Sequence, residues 1–266
     1  AGPDPTHSTQ VSAVIITCNE EANIGRALAS LSWADEIVVL DSGSSDRTCE
    51  IAGEAGARVE QAAFAGFVQQ KNAVVDLATH DWILSLDSDE EISSELQREI
   101  EFWKNTPKGN TVGYRVPRVV LFLGQWIRCT SWYPDYQLRL FRRSSCRWHG
   151  GRVHESVRLL DKASGESIGY LKGEIRHYSF PSMSAYIRRL DCYTTLAALD
   201  RRDRGEKASA WKLLVDPAAA FIRNYILDRG FRGGMAGLAV SLLSSFYVLV
   251  RNIKLWELRQ KTDCSP

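Results

Sequence analysis

Two aspartates follow a run of apolar residues in the stretch ILSLDSDEEIS, which covers residues 83–93. Asp87 and Asp89 are separated by one residue, so in a loop both carboxylates can converge on one divalent cation. Hard oxygen ligands select magnesium or manganese, and these ions usually complete their coordination with water and substrate phosphates. The alternative is structural: acids favour the dipole at a helix N-terminus, where Ser88 or Asp89 would be the N-cap.

The segments around this loop alternate between strand-like and helical patterns. VSAVIIT, EIVVL, ARVEQ and DWILSL are short apolar or β-rich runs, and the first three are each followed by apolar residues at helical spacing. Strands that alternate with helices imply a mostly parallel sheet covered on both faces, which binds ligands beyond the carboxyl ends of its strands. Asn19, Asp41, Asp87 and Asp89 fall at those ends, so we expect them at one edge of the sheet.

The character of the chain changes near Thr111. From there the segments are shorter, extended and rich in aromatic residues, and the last third of the chain returns to helical spacing. We therefore predict one α/β domain over residues 11–180, with a first half at 11–92 and a second half at 111–180. A helical appendage over residues 181–262 follows it.

Composition excludes several classes of function. The chain has 33 basic and 32 acidic residues and a net charge of +1, so no overall field attracts it to nucleic acid. Its six cysteines are scattered without a CxxC pair, which argues against structural zinc and redox motifs and favours a reduced, cytoplasmic setting.

Four motifs occur in order within residues 11–92: AVIITCNEE, EIVVLDSGSSDRT, QQKN and WILSLDSDE. A DxD pair alone is a weak signal, but this ordered set resembles the nucleotide-sugar-binding half of glycosyltransferase family 2. The resemblance implies the GT-A fold, a Rossmann-like, mostly parallel sheet flanked by helices. It also implies a UDP-sugar donor and Mn²⁺ or Mg²⁺ as the cofactor.

The same resemblance implies roles for the residues at the strand ends. Asp41 matches the carboxylate that reads the uracil edge, and a buried acceptor left without its donor would penalise the wrong base. A turn-forming aspartate is the alternative. Asp87 is expected near the ribose and the metal, and Asp89 is expected to bind the metal directly. The donor-binding residues are then Thr17, Asn19, Glu20, Asp41, Ser42, Gly43, Asp46, Lys71, Asp87 and Ser88.

Glycosyl transfer with inversion requires a general base that deprotonates the acceptor hydroxyl. We predict Glu155, because it follows two glycines and a histidine and its backbone can approach a ligand closely. A surface ion pair with an arginine is the alternative for Glu155. Asp135 is the second candidate base, although it could equally orient a sugar hydroxyl among neighbouring aromatic residues.

Arginines alternate with apolar residues in the stretch LRLFRR that begins at Leu138, the pattern of a half-exposed strand with cations on one side. One of these arginines is predicted to contact a phosphate, and a solvated strand edge is the alternative. The candidate acceptor- or phosphate-binding residues are Trp132, Tyr133, Tyr136, Arg139, Arg142 and His154.

Three residues are candidates to complete a metal site with Asp87 and Asp89. His154 lies beside the predicted base, Glu91 follows Asp89 by two residues, and His177 lies far along the chain. An ordinary packed histidine is the alternative for His177.

The motifs WYPDYQLRLFRR, WHGGRVHE and RHYSFPSMSAYIRR resemble a narrower group, the lipopolysaccharide inner-core β-glucosyltransferases that act on a heptose. This resemblance implies transfer of a sugar, expected to be glucose, to a heptose of the lipopolysaccharide core. Transfer to a polyprenyl phosphate or a peptide side chain, and a non-catalytic nucleotide-sugar-binding scaffold, are the alternatives.

An apolar run of 14 residues, GLAVSLLSSFYVLV, covers residues 237–250. It is shorter than the roughly 20 residues needed to span a bilayer, so we do not predict a transmembrane helix. Basic and aromatic residues flank it and favour a monotopic element on anionic lipid; a core helix or an oligomer interface is the alternative. The basic residues are Arg223, Arg229, Arg232, Arg251, Lys254 and Arg259, and the aromatic residues of this tail are Trp211, Tyr247 and Trp256.

The expected location is therefore cytoplasmic, with peripheral attachment to the inner face of the cytoplasmic membrane. The expected partners are a UDP-sugar, a lipid-linked saccharide acceptor and the membrane surface, and nucleic acid is not expected.

Overall fold

The computed structural model describes residues 8–150, 155–160 and 165–263. These residues form two compact units, each with its own apolar core. The described residues of the first unit are 8–118, 136–150, 155–160 and 165–177, and those of the second are 119–135 and 178–263.

The first unit begins with the predicted alternation of strands and helices. Its first elements are β1 (Val11–Thr17), α1 (Ile24–Ala29), β2 (Glu36–Asp41), α2 (Thr48–Glu54), β3 (Arg58–Gln61), α3 (Phe67–Leu77) and β4 (Trp82–Asp87). β1 pairs in parallel with both β2 and β4, and β2 pairs in parallel with β3. Val14 and Ile15 of β1 are fully buried in two different apolar clusters, so the sheet is covered on both faces.

Later strands make the sheet mixed. The remaining elements up to residue 180 are β5 (Glu90–Ile92), α4 (Ser94–Lys104), β6 (Thr111–Phe122), β7 (Gln125–Ile127), β8 (Asp135–Arg142), β9 (Cys146–His149), β10 (Ser156–Leu159), β11 (Ser167–Tyr170) and β12 (Ile175–Phe180). The strand order is β3-β2-β1-β4-β8-β6-β12-β5, with β8 antiparallel to β4. β9 and β10 form a separate antiparallel pair.

The acidic stretch does not begin a helix, which was the structural alternative. Its residues Glu90–Ile92 form β5, which pairs antiparallel with β12. Helix α4 begins only at Ser94, and the Ser93 hydroxyl caps it by accepting a hydrogen bond from the Leu96 N–H at 3.1 Å. Asp87 therefore ends β4, Asp89 lies in the turn between the two strands, and Glu90 and Glu91 belong to β5.

The second unit is the helical appendage. Its helices are α5 (Met183–Asp203), α6 (Ala210–Ile222) and α7 (Gly234–Asp263), with a π turn at Arg223–Leu227 and a 3₁₀ turn at Gly230–Gly233. An aromatic cluster fills its core, with ring centroids 5.0 to 6.4 Å apart. The rings belong to Phe122, Trp132, Phe180 and Tyr186.

The boundary between the units differs from the predicted one. Residues 119–135, which were assigned to the α/β domain, belong to the second unit. The reason is apolar packing, because Phe122, Ile127 and Trp132 lie in the core cluster of that unit.

Helices α6 and α7 form an antiparallel hairpin. The Asn252 side-chain amide donates to the carbonyl of Lys212 at 3.0 Å, and the Ser245 hydroxyl donates to the carbonyl of Pro217 at 2.7 Å. A residue late in α7 therefore lies beside the start of α6, which fixes the direction of the pair.

The length argument against a membrane-spanning helix is wrong for the folded chain. It counted only residues 237–250, whereas α7 is continuous over 30 residues. At about 1.5 Å per residue such a helix is about 45 Å long, more than the roughly 30 Å of a hydrocarbon core. By length and composition alone, the segment Gly230–Gln260 is long and apolar enough to cross a bilayer.

Candidate active site

Three strand ends meet at one edge of the sheet in the first unit. Thr17 pairs with Asp41 across β1 and β2, and Ile16 pairs with Asp87 across β1 and β4. The register therefore places Asp41 on one side of the end of β1 and an acidic segment on the other. We call this segment, residues 87–91, the acidic loop: it is the turn at residues 88–89 with the strand ends that flank it. Ligands of parallel sheets bind at this edge.

Asp41 organises the turn that follows β2. Its carboxylate accepts hydrogen bonds from the N–H groups of Gly43 and Ser44, each at 2.9 Å, and from the Ser44 hydroxyl. Burial raises the pKa of Asp41, but these hydrogen bonds outweigh burial and hold the pKa below its ordinary value. Gly43 has a φ of 92°, which favours glycine. The carboxylate is thus in the turn-forming role that was the alternative, and its contact with uracil stays a prediction.

Asn19 and Asp46 join the loop after β1 to this turn. Asn19 donates its backbone N–H to the Ser44 hydroxyl at 2.8 Å, and its side-chain oxygen accepts from the Ser45 N–H at 2.8 Å. The Asp46 carboxylate accepts from the Glu21 N–H at 3.1 Å. Asn19 has a φ of 55°, in the left-handed region that asparagine tolerates better than most residues. These bonds hold the predicted nucleotide-binding loops in one arrangement.

Thr17, Ser42 and Glu20 line the same edge. The Ser42 N–H donates to the Thr17 carbonyl at 2.9 Å, and its hydroxyl accepts from the Gln70 side chain at 3.0 Å. Glu20 accepts from the Asn23 side chain at 2.7 Å. The Thr17 hydroxyl is buried and has no hydrogen-bond partner within the described residues, so a polar ligand group at the end of β1 would satisfy it.

Lys71 connects the acidic loop to the predicted base. This residue of α3 is buried, and its ammonium lies 3.0 Å from the Asp87 carboxylate and 3.5 Å from the Glu155 carboxylate. The ammonium also lies 4.3 Å from the centre of the Trp148 ring, within the range of a cation–π interaction. Asn72 fixes that ring by two hydrogen bonds with the backbone of Trp148, at 2.9 and 3.0 Å. The structure therefore brings Glu155 to the acidic loop, as the donor-and-base hypothesis requires.

Asp87 lies between two cations. The Arg139 guanidinium donates to it at 2.9 Å, opposite the Lys71 ammonium. Burial raises the pKa of Asp87, but Arg139 and Lys71 outweigh burial and hold the pKa well below its usual range. Asp87 is therefore ionised at neutral pH.

Glu90, at the start of β5, fixes the acidic loop through buried hydrogen bonds, a role that the sequence did not indicate. It is completely buried and accepts hydrogen bonds from Arg139 at 2.9 Å, from Arg118 at 3.1 Å and from the Asp87 N–H at 3.0 Å. Arg139 is itself only 2% exposed and bridges Glu90 and Asp87. We call Glu90, Arg118 and Arg139 the charge clamp.

Two arginines differ from their predicted setting. The prediction that this stretch is a half-exposed strand is wrong, because β8 lies between β4 and β6 in the interior of the sheet. Arg139 is consequently buried in the charge clamp. Arg142 pairs with Trp82 at the start of β4 and contacts Asp81 at 2.7 Å, so it lies at the opposite end of β4 from Asp87.

Asp89 meets His177, one of the three candidate partners in a metal site. The His177 Nε2 lies 3.1 Å from the Asp89 carboxylate, and both side chains are less than one fifth exposed. The His177 Nδ1 is buried without a hydrogen-bond partner within the described residues. A carboxylate is a ligand that magnesium and manganese prefer, and an imidazole nitrogen can be added to it, so this pair supplies two of the ligands that the implied cofactor would need.

The other predicted metal ligands are less closely gathered. Glu91 lies 3.7 Å from Arg26 and 3.3 Å from Arg176, and Asp87 is occupied by its two cations. Within the described ranges, no three His, Cys, Asp or Glu side chains form a group that could hold a metal ion. His154 lies outside the described residues.

The candidate acceptor-binding residues are divided between the units. Tyr136 is exposed in the first unit, where its ring lies 5.2 Å from that of Tyr170. Tyr133 and Asp135 belong to the second unit, as does Trp132, which packs in the aromatic core. The structure thus brings Glu155 into contact with the acidic loop through Lys71.

Comparison with known proteins gives the class of this fold and site. The family description Glycosyl transferase family 2 matches residues 12–155, and these make up more than half of the 266-residue chain. The chain is also 30% identical over 260 residues to an uncharacterized glycosyltransferase of Rickettsia typhi, covering 95% of this chain and 89% of that protein. The chain belongs to glycosyltransferase family 2, and its sheet and helices have the predicted GT-A architecture.

A further relative carries a more specific name. The chain is 27% identical over 253 residues to a protein of Rhizobium meliloti named lipopolysaccharide core biosynthesis glycosyltransferase, with 93% of this chain and 92% of that protein covered. The recognised resemblance to glycosyltransferases that include lipopolysaccharide core enzymes is therefore confirmed.

Two solved structures match parts of this chain. S. aureus TarS matches 71% of this chain and 40% of its own, with a TM-score of 0.46 and 15% identity. Glucosyl-3-phosphoglycerate synthase from Mycobacterium tuberculosis, solved with Mn²⁺ and uridine diphosphate, matches 41% of this chain and 44% of its own, with a TM-score of 0.35 and 24% identity. The shared region spans less than half of either solved chain.

Proposed function

We propose that this family 2 glycosyltransferase is an inverting, metal-dependent enzyme that moves glucose from UDP-glucose to a heptose of the lipopolysaccharide inner core. The observation that carries the proposal is the contact of Lys71 with both Asp87 and Glu155, at 3.0 and 3.5 Å. It links a nucleotide-sugar-binding motif to a carboxylate that can act as a base. The choice of acceptor is supported by the likeness to the Rhizobium meliloti lipopolysaccharide core protein.

Donor binding is assigned to the edge formed by the ends of β1, β2 and β4. Asp41 and the loop after Thr17 are proposed to contact uridine, and the Thr17 hydroxyl is available as a buried polar group. Asp89 and His177 are proposed to hold Mn²⁺ or Mg²⁺, with Asp87 beside them. When bound, such an ion supplies positive charge that stabilises the departing diphosphate.

Glu155 is proposed to deprotonate the acceptor hydroxyl. The proton passes to the Glu155 carboxylate while the acceptor oxygen forms a bond to the anomeric carbon. The bond from that carbon to the diphosphate oxygen breaks on the opposite face, so the configuration inverts and uridine diphosphate leaves. Lys71 orients the Glu155 carboxylate toward the donor edge by holding it beside Asp87.

The acceptor class also bears on location. A heptose of the lipopolysaccharide core is carried on a lipid, so an enzyme acting on it must work at a membrane surface. We propose peripheral attachment to the inner face of the cytoplasmic membrane, which the basic and aromatic residues around the helical hairpin support.

Release of uridine diphosphate from UDP-glucose tests the proposal. We expect manganese-dependent release that falls at least about a hundredfold in Asp89→Ala, because a catalytic metal contributes several kcal/mol. Asp76→Ala is the matched control, since the Asp76 side chain is 61% exposed and pairs with Arg147 on the surface. Full manganese-dependent release by Asp89→Ala would refute the metal assignment, and tight UDP-glucose binding without release by the unaltered protein would favour the scaffold alternative.

A further inference from the structure

Helix α7 carries a row of exposed apolar side chains in the second unit. We call it the exposed row: Met235, Leu242, Phe246, Ile253 and Trp256, which are 42% to 80% exposed. Spacings of seven, eleven and eighteen residues return to the same side of a helix with 3.6 residues per turn. The row therefore extends along one face for about 30 Å, at about 1.5 Å per residue.

The opposite face of α7 is the one that packs against protein. Val240 and Ser241 are completely buried, and Leu255 is 1% exposed. Asn252 on this face donates to α6, and the Lys254 ammonium contacts Asp191 of α5 at 2.6 Å. The apolar core of the second unit is thus complete without the exposed row.

Positive charge is concentrated where the row begins. Residues 222–235, which join α6 to α7, contain three arginines and one aspartate. Arg229 and Arg232 are exposed, and Phe231 between them is 52% exposed. A cavity of about 220 Å³ opens here, lined by Arg128 and Arg232. Apolar side chains flanked by arginines complement a layer of hydrocarbon beneath anionic headgroups.

We propose that the exposed row and the arginines at its start are the surface by which the second unit rests on an anionic lipid bilayer. The inference rests on the peripheral attachment in the proposed function and specifies the residues that make it. Helix α7 lies in the membrane plane, with the exposed row among the acyl chains and Arg229 and Arg232 among the headgroups. Its polar, protein-packed face, which includes Ser241 and Asn252, stays out of the hydrocarbon.

Helix α7 is long and apolar enough to span a bilayer, yet one of its faces packs against protein and includes polar residues. A position in the plane of the membrane accounts for both properties. A spanning helix would carry the partly buried Arg251 into hydrocarbon, and also Asn252 with its partners Arg201 of α5 and Asp216 of α6. Polar and charged groups there are costly. In the interface, the exposed row contacts hydrocarbon while the opposite face of α7 keeps its contacts with α5 and α6.

Sedimentation with lipid vesicles tests the surface. The full chain is mixed with vesicles of phosphatidylcholine containing phosphatidylglycerol, and with vesicles of phosphatidylcholine alone. We expect stronger binding to the anionic vesicles, and at least about a tenfold loss in Phe246→Glu, because an inserted aromatic side chain contributes more than a factor of ten. Arg232→Gln should weaken binding to the anionic vesicles about fivefold.

Phe102→Glu is the matched control, since Phe102 lies on α4 of the first unit, is 74% exposed and receives the same substitution. It should bind like the unaltered protein. Met235→Glu, at an 80% exposed position, repeats the test where a folding defect is least expected. Circular dichroism should show unchanged helix content in each variant.

Two results would overturn the inference: no sedimentation of the unaltered protein with anionic vesicles, or equal sedimentation of Phe246→Glu and Met235→Glu. A dimer in solution that Phe246→Glu converts to a monomer, without vesicle binding, would assign the row to a second copy of the chain instead. Release of uridine diphosphate without vesicles is measured on the same samples. Vesicle binding without release of uridine diphosphate would contradict the proposed reaction but not the membrane-binding surface. Release of uridine diphosphate without vesicle binding would contradict the membrane-binding surface but not the proposed reaction.

Discussion

Replacing Glu90 by glutamine removes one negative charge from the charge clamp and leaves its shape almost unchanged. Glutamine can still accept from the Asp87 N–H, but the buried Arg139 then loses the charge of Glu90, one of the two carboxylates that it contacts at 2.9 Å. Breaking one partner of a buried ion pair typically costs about 3–5 kcal/mol. Because Asp87 remains 2.9 Å from Arg139, we expect the lower end, a loss of about 3 kcal/mol in the free energy of unfolding.

Urea unfolding of the first unit measures this loss. Trp82 and Trp148 lie in the core of that unit and report its unfolding by fluorescence. With a denaturant slope of about 3 kcal/mol/M, a loss of about 3 kcal/mol moves the midpoint by about 1 M. Glu60→Gln is the control, since the Arg58–Glu60 pair at 3.4 Å is exposed and should contribute less than about 1 kcal/mol.

Equal midpoints for Glu90→Gln and Glu60→Gln would refute the reasoning. That outcome would mean that the Arg139 charge is compensated without Glu90, and that the clamp does not depend on its central carboxylate. An unchanged slope in both variants is required for the comparison, since a change in slope indicates a change in the surface exposed on unfolding.

Two further predictions concern catalysis and pH. Glu155→Gln should keep UDP-glucose affinity in a thermal-shift assay, but its rate of sugar transfer should fall about a hundred- to ten-thousand-fold. A larger loss of transfer in Asp135→Asn would show that Asp135, and not Glu155, is the base. For Glu36, burial raises the pKa, but hydrogen bonds from Ser12 and Thr79 lower it from 4.5 to about 2. The ionised carboxylate therefore stabilises the fold above about pH 4.5 and loses this effect as pH falls toward 2. Urea midpoints in that window should fall more steeply for the unaltered protein than for Glu36→Gln, and parallel curves would contradict the assignment.

The first half of the fold was predictable because its signals are local. β1, β2 and β4 are short, mostly apolar runs, β3 is a short and more polar one, and the connecting helices repeat apolar residues at helical spacing. Parallel pairing then forces the strand ends to one edge, so Asp41 and Asp87 were placed together from the sequence alone. The helical nature of the second unit followed from the same kind of pattern.

Long-range contacts were not predictable in the same way. His177 lies 88 residues from Asp89, and Lys71 lies 84 residues from Glu155, so no spacing rule relates them. Arg139 was misplaced for a related reason: alternation of cations and apolar residues indicates a half-exposed strand only if the strand is at an edge. β8 is interior, and acids from another strand neutralise its arginine.

The length of α7 shows a second limit. Hydropathy counts the apolar residues of a segment, whereas hydrogen bonding continues the helix through polar residues on either side. The boundary of the second unit was missed because Phe122 and Trp132 have strand-like surroundings in sequence but pack among helices. Side-chain packing, which the sequence pattern does not express, decided the position of this boundary.

The short ladder between β5 and β12 determines how this protein can tolerate changes in length. Three residue pairs, including His177 opposite Glu90, set the side on which the His177 imidazole emerges. Inserting one residue within β12 ahead of His177 would turn that ring to the other face of the sheet and separate it from Asp89. Placed ahead of Arg176, the same insertion would also turn that side chain away from its place opposite Glu91, whose carboxylate it contacts at 3.3 Å, so a single added residue would disrupt two side-chain pairs at once.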